Sequence, residues 1–304
     1  PWAELSTDLT ALTEQVLSVT PNGTIFLKQV AFDLALMNSI PPNVKVACSY
    51  QDQYCEYINS ADSSGSPYTV EVGAGLNSGY YIAKDSENRI CFASPDYKTV
   101  YDAVSTVLTV SGGTIVLQPG GTFTSTATLN GYSNVNVVGE KSTLRVNSNT
   151  PSVHALTFNN IVNSVWHGVN IERTGVNASG SYVLYALGAT DESVKFLDCN
   201  FTNLITGSGG TGCYGVGSWG SAAPSFSGCT ITGGSGGTDC HGVVSSDSAA
   251  PSFSGCTITG GSGDAYCYGV ISLDSAAPSF SGCTITGGSG GTVCVGVYLG
   301  GSSA

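Results

Sequence analysis

The sequence predicts an all-β fold: a parallel β-helix, with 27-residue coils at its C-terminal end and short capping helices at its N-terminal end. Three observations carry that prediction. Residues 221–247, 248–274 and 275–301 are consecutive 27-residue units whose first 16 positions, SAAPSFSGCTITGGSG, are identical. The unit is rich in Thr, Ile, Val, Phe, Ser and Gly, and its four shared glycines would cost a helix about 1 kcal/mol each. Cys229-Thr230-Ile231-Thr232 alternates apolar with hydroxyl side chains, the period of a strand with one buried face.

One unit is therefore one coil. Gly233-Gly234-Ser235-Gly236 marks the bend where the backbone needs positive φ. Each coil advances about 4.8 Å along the axis. Stacking then sets Phe226, Phe253 and Phe280 in one column, Ile231, Ile258 and Ile285 in a second, and Val243, Val270 and Val297 in a third.

The chain has 304 residues, 10% of them charged, and a net charge of −12. That balance excludes nucleic acid as an expected partner. No run of 18 apolar residues occurs, so no membrane span is expected. The first residue is Pro1, which fits a removed signal peptide or a start set by processing. The last basic residue is Lys195, leaving 109 residues without a trypsin site. Repeat duplication explains this, as does a surface shaped to persist in a proteolytic exterior.

Residues 1–95 read as an N-terminal cap region and 96–304 as the β-helix. Residues 3–19 have helical spacing at Leu9, Leu12, Val16 and Val19, with Ser6 or Thr7 as cap. Pro21-Asn22-Gly23 breaks the helix, and strands follow at 23–28 and 44–46. The order recurs: a helix over 96–109 capped by Asp96, then strands in 112–121 and 134–138. This reads as two copies of one starting unit. Between them, 68–72 and 80–83 are expected strands, with a hairpin around Asp85 to Arg89. They form either a small separate domain or the flank of the first cap. Segments 156–158, 169–171 and 194–202 are expected solenoid strands. Residues 194–220 are a diverged 27-residue unit, with Cys199 and Cys213 at its two cysteine positions. No amphipathic helix follows the third perfect unit, so either another copy covers its strand edges or further sequence does.

The repeat P-S-F-S-G-C-T-I-T-G-G-S-G, followed by Y-G-V in one unit, resembles the right-handed parallel β-helix repeats of microbial surface proteins, especially those of methanogenic archaea. The segment YDAV…GGTIVLQPGGTFTSTATL…NVNVVGE (101–140) is similar to the opening of pectate-lyase-like β-helices and phage tailspikes. Together the resemblances cover about 95–301. The opening implies fold and little else. The repeat implies an extracellular surface protein, and its cysteine ladder resembles subunits of methanogen sheaths. The expected partner is then the chain itself, as a homopolymer through β-helix ends and lateral contacts, with glycans as a further partner.

Eleven cysteines occur: Cys48, Cys55, Cys91, Cys199, Cys213, Cys229, Cys240, Cys256, Cys267, Cys283 and Cys294. No CxxC is present, so zinc-ribbon and c-type haem readings fail. The diverged unit keeps both its cysteines, which favours disulfides within each coil: 199–213, 229–240, 256–267 and 283–294. The alternative is columns of buried free thiols, since cysteine packs as a small hydrophobe. Eleven is odd, so at least one of Cys48, Cys55 and Cys91 is left over.

No catalytic constellation, metal site or cofactor is expected. Asp247 and Asp274 share a repeat position, and stacked carboxylates suit a weak Ca²⁺ site or a glycosidase-like pair. The position becomes Gly301 in the third unit, which favours solvated turn residues. Asp239 and Asp264 add no partner for them. A lyase needs a cationic base, and none follows Lys195. His154, His167 and His241 have no nearby acid at a telling spacing, and Glu172-Arg173 reads as an exposed pair. Asn22, Asn177 and Asn200 head glycosylation sequons. Tyr214, Trp219, Tyr266, Tyr268 and Tyr298 read equally as exposed aromatics, free to stack on sugars or on neighbouring subunits, and as ordinary strand residues. The expected function is a self-assembling extracellular structural protein reinforced by disulfides. The alternatives are a carbohydrate-binding or carbohydrate-cleaving β-helix, or an adhesin.

Overall fold

The computed structural model describes four strands before residue 59, and then residues 67–74, 78–88, 90–176, 180–188, 193–206 and 210–301. Over these residues the chain is an all-β parallel solenoid of about six turns with coils of about 27 residues. Among the described residues, no helix is long and apolar enough to cross a membrane.

The early strands are β1 (Val16–Val19), β2 (Ile25–Leu27), β3 (Lys45–Tyr50) and β4 (Gln53–Ile58). β1 runs antiparallel to β2, β2 parallel to β3, and β3 antiparallel to β4. The helix expected over 3–19 is therefore wrong at its C-terminal end. Two β-branched valines around Leu17-Ser18 suit a strand better than a helix. Residues 3–15 lie outside the described residues. The strands expected in 23–28 and 44–46 are present as β2 and β3.

β5 (Tyr68–Val72), β6 (Tyr81–Lys84) and β7 (Ile90–Ser94) form an antiparallel meander. The expected hairpin turns over Asp85 to Asn88, where the Asn88 N–H bonds the Asp85 carbonyl at 3.0 Å and Asn88 takes φ 61°. β5 pairs parallel with β8 (Gly113–Leu117), so the meander continues the solenoid's sheet. Between them lies α1 (Tyr97–Ser111), whose Tyr97, Val100, Tyr101, Val104 and Leu108 are buried at helical spacing. They pack over the first coil: the Tyr97 and Phe123 rings are 5.1 Å apart, and the Tyr101 hydroxyl donates to the Asn130 carbonyl. Asp96 is the N-cap residue, as expected, yet its carboxylate accepts from the Thr99 hydroxyl and caps no backbone N–H. Gly112, at φ 72°, closes the helix by donating to the Leu108 carbonyl.

The irregular coils comprise β9 (Thr122–Ser125), β10 (Leu129–Asn130), β11 (Val135–Asn147), β12 (Leu156–Asn159), β13 (Val165–Val176), β14 (Ser181–Leu187), β15 (Lys195–Leu197), β16 (Asn200–Thr206) and β17 (Gly210–Trp219). β18 (Ser225–Ser227), β19 (Thr230–Thr232), β20 (Gly237–Asp239) and β21 (Val243–Ser245) form the first perfect unit. The next units give β22 (Ser252–Ser254), β23 (Thr257–Thr259) and β24 (Val270–Ser272), then β25 (Ser279–Ser281), β26 (Thr284–Thr286) and β27 (Val297–Leu299).

Each perfect coil thus has three faces: Ser-Phe-Ser, Thr-Ile-Thr and a valine-led strand. In β11 and β13 the first two faces are one long strand. A residue with positive φ marks the corner between them in each coil, Lys141, Gly168, Asp198, Gly228, Gly255 and Gly282, at 51–67°, and from β15 onward the two faces are separate strands. The perfect coils pair parallel and in register, and the three expected columns form as Phe226↔Phe253↔Phe280, Ile231↔Ile258↔Ile285 and Val243↔Val270↔Val297. The stacked phenylalanine rings lie 4.8 and 5.1 Å apart and tilt by only 8°.

Candidate functional site

The chemistry-bearing residues of the solenoid fall into axial columns, one member per coil. The two cysteines of a coil belong to different columns. Cys199, Cys229 and Cys256 lie in the main core beside the phenylalanines, with Cys283 packed against it. Cys213, Cys240 and Cys267 form a second small core with Ile205, on the far side of the Gly-rich bend. The eight cysteines from Cys199 to Cys294 are free thiols, and the expected disulfides 199–213, 229–240, 256–267 and 283–294 are not formed. The physical reason is register. Parallel stacking sets each cysteine against its own copy in the next coil, so Cys213 hydrogen-bonds Cys240, and Cys229 hydrogen-bonds Cys256. The hydrogen bond from Cys240 holds the Cys213 thiol low, and the same bond together with burial pushes Cys240 up. Burial pushes Cys199 and Cys267 up to about 11. Cys199 and Cys267 are therefore packed thiols with little thiolate character. The register of β3 and β4 sets Cys48 directly opposite Cys55.

A second column is aromatic. Tyr182, Tyr214, His241, Tyr268 and Tyr298 stack with centroid separations of 4.6, 5.4, 4.9 and 5.0 Å. Tyr268, read as exposed or as a strand residue, is buried in this stack; Tyr266 and Tyr298 are exposed, and Tyr214 and Trp219 are half-buried. His241 Nδ1 accepts from the Tyr268 N–H, and His154 Nδ1 accepts from the Tyr182 N–H. Burial lowers both imidazoles to about 4, helped at His154 by the Arg173 guanidinium.

Asp247 and Asp274 are exposed turn residues at φ 62° and 56°. Gly220 and Gly301 take the same left-handed conformation at the equivalent position. The position therefore accepts Gly or Asp, the residues that tolerate that backbone. Each carboxylate ties its coil to the one before: Asp247 accepts from the Gly220 N–H at 3.1 Å, and Asp274 from the Ser246 hydroxyl at 2.8 Å. Among the described residues, no group of three or more His, Cys, Asp and Glu is arranged to hold a metal ion.

Two pairings differ from expectation. Arg173 is fully buried, not an exposed partner of Glu172. Its guanidinium donates to the backbone carbonyls of Val153 at 2.5 Å and Ser148 at 2.8 Å, and to that of Thr174, pinning the loop between β11 and β12. Glu172 points the other way and pairs with Arg145 one coil below, at 2.7 Å. His167, expected to lack an acid, has its Nε2 3.5 Å from Asp198 on the next coil. Asn200 is exposed on β16, and its amide donates to Asn170. Asn22 and Asn177 lie outside the described residues.

Beside the Thr-Ile-Thr face runs a shallow groove of about 350 Å³, lined by the Thr-Gly-Gly-Ser bends of three coils and by Asn203. The glycines there are required by close approach: a Cβ on Gly261 would meet the Gly234 carbonyl oxygen at 1.7 Å. No family model and no curated protein matches the chain. Among solved structures, ORF18 of Geobacillus virus E2 is similar at 12% identity and a TM-score of 0.22, over 86% of this chain and 72% of that one. A likeness that weak supports no conclusion about function.

Proposed function

We propose that this chain is a structural protein of the cell exterior, a stiff β-helix rod that assembles with copies of itself into a sheath, filament or surface layer. The observation that carries the reading is the use to which the repeated side chains are put. Phe, Ile, Val, Cys and the aromatic column each stack on their own copies, and the acids serve as turn residues that tie coil to coil. The repeat builds length and stiffness. The run of 109 residues without Lys or Arg suits an exterior rich in proteases. Electron microscopy of the native material tests the proposal: ordered polymers support it, and discrete monomers or trimers refute it. Free thiols take disulfide reinforcement out of the reading, so a reductant should leave such polymers intact.

The second reading, a carbohydrate-binding or carbohydrate-cleaving β-helix, draws on the groove beside the Thr-Ile-Thr face. The aromatic column speaks against sugar stacking, because its ring faces are already taken by neighbouring rings. Binding on a glycan array would favour this second reading.

A further inference from the structure

The Thr-Ile-Thr face has a geometry that stacking alone does not require. Its isoleucines point inward; Thr230, Thr257, Thr284 and Thr286 are exposed, and Thr232 and Thr259 are half-buried at the edge of the Gly-rich groove. Thr230, Thr257 and Thr284 form one outer column. Thr232, Thr259 and Thr286 form another, which Thr202 of β16 extends by one coil. The result is a two-dimensional array of hydroxyl and methyl groups, spaced about 4.8 Å along the axis and about 6.7 Å across each strand.

Three features describe this array. Its six hydroxyls in the perfect units are uncommitted: none takes part in a hydrogen bond, whereas Ser246, Ser262 and Ser272 elsewhere on the coils do. It is periodic, because the strands that carry it pair parallel and in register from coil to coil. It also carries no charge, since no Lys or Arg follows Lys195 and the acids lie at turns and corners.

A ligand must match that chemistry. A protein partner binds through aromatic, Arg or other large anchors, and this face presents none. A soluble sugar is held by aromatic faces and by carboxylates or amides, which the Thr-Ile-Thr strands of the three perfect coils lack. The face can offer a fixed lattice of hydroxyls with intervening methyls, held on β-branched side chains with restricted χ1. Its two spacings are close to those between water oxygens on the prism face of hexagonal ice. Many waters held by fixed polar groups lose little entropy on ordering. We infer that the Thr-Ile-Thr face is an ice-binding surface, which anchors ordered water at the threonine columns and attaches the rod to growing ice.

The test uses the full-length chain cooled with a seeded ice crystal. Ice shaping, a gap between melting and growth temperatures, and uptake of fluorescently labelled protein into a growing ice hemisphere are the expected results. Thr257→Lys and Thr259→Lys, both outward-facing on β23, should abolish all three. Thr238→Lys, exposed on β20, should keep them. Circular dichroism and urea midpoints confirm that the variants fold; if a lysine variant unfolds, Thr257→Val and Thr259→Val, which keep one methyl and delete the hydroxyl, take its place with loss again expected. Unaltered ice growth with the folded wild-type chain overturns the inference. So does full activity in the folded face variants, or binding confined to crystalline polysaccharide with no effect on ice. Polymer formation is a separate readout, so either reading can fail alone.

Discussion

Replacing Phe253 probes the stacking on which the rod depends. Phe253 is 2% exposed, and its ring lies 4.8 Å from Phe226 and 5.1 Å from Phe280. Phe253→Ala removes a buried ring and leaves a cavity, a loss of about 4 kcal/mol. Phe253→Leu keeps most of the volume but removes two ring–ring contacts, each worth about 0.5–1.5 kcal/mol, so it should cost about 1–2 kcal/mol. Urea unfolding followed by far-UV circular dichroism measures both. A double-mutant cycle then asks where the coupling lies. Phe226 and Phe253 are in contact and should couple. Phe226 and Phe280 meet only through Phe253, so Phe226→Ala and Phe280→Ala should be close to additive. Coupling between Phe226 and Phe280 as strong as between Phe226 and Phe253 would refute the nearest-neighbour picture. A Phe253→Ala cost below about 1.5 kcal/mol would refute the packing estimate itself.

Acid should destabilise the solenoid through its buried imidazoles. His241 titrates near 4 when folded against about 6.5 unfolded, so between those values the unfolded chain binds more protons. Stability is then fully present above pH 6.5 and falls towards pH 4, by about 3 kcal/mol for His241; urea midpoints across that range should flatten in His241→Phe. Arg173→Met should cost at least about 3 kcal/mol by leaving buried carbonyls unpaired, whereas Glu172→Gln, which weakens a partly exposed pair, should cost under about 1 kcal/mol, both read from chemical denaturation. Gly261→Ala forces a clash with the Gly234 carbonyl and should raise hydrogen exchange at the Gly-rich bend of adjacent coils. A thiol reagent should label Cys294, which is exposed, within the native chain and reach Cys240 and Cys267, which are buried, only on unfolding; equal labelling rates would contradict the second cysteine core.

The columns were legible because an exact repeat in a parallel solenoid admits one register, and the Phe, Ile and Val positions followed from the period alone. The same logic, carried further, would have placed the cysteines correctly. A side chain repeated every 27 residues faces its own copy, whereas Cys229 and Cys240 sit on either side of a bend. Arg173 was misread for a similar reason. Neighbouring strand residues point to opposite faces, so Glu172 and Arg173 could not pair once both lay in β13. What the sequence could not show was why an arginine should face inward, since the carbonyls it satisfies come from the irregular loop at 148–154. The exchange of Asp247 and Asp274 for Gly301 was readable as a turn position, and the left-handed φ supplies its cause.

The left-handed column at Gly220, Asp247, Asp274 and Gly301 has a genetic consequence. Every unit begins and ends at the same backbone geometry, so excising or inserting one whole unit rejoins equivalent joints and sets each surviving coil beside one with the same 16-residue core. Near-identical coding segments are prone to unequal recombination, and this junction makes the products of that process foldable. Rod length can then vary between lineages in steps of one coil, with copy number acting as a ruler and the local chemistry unchanged.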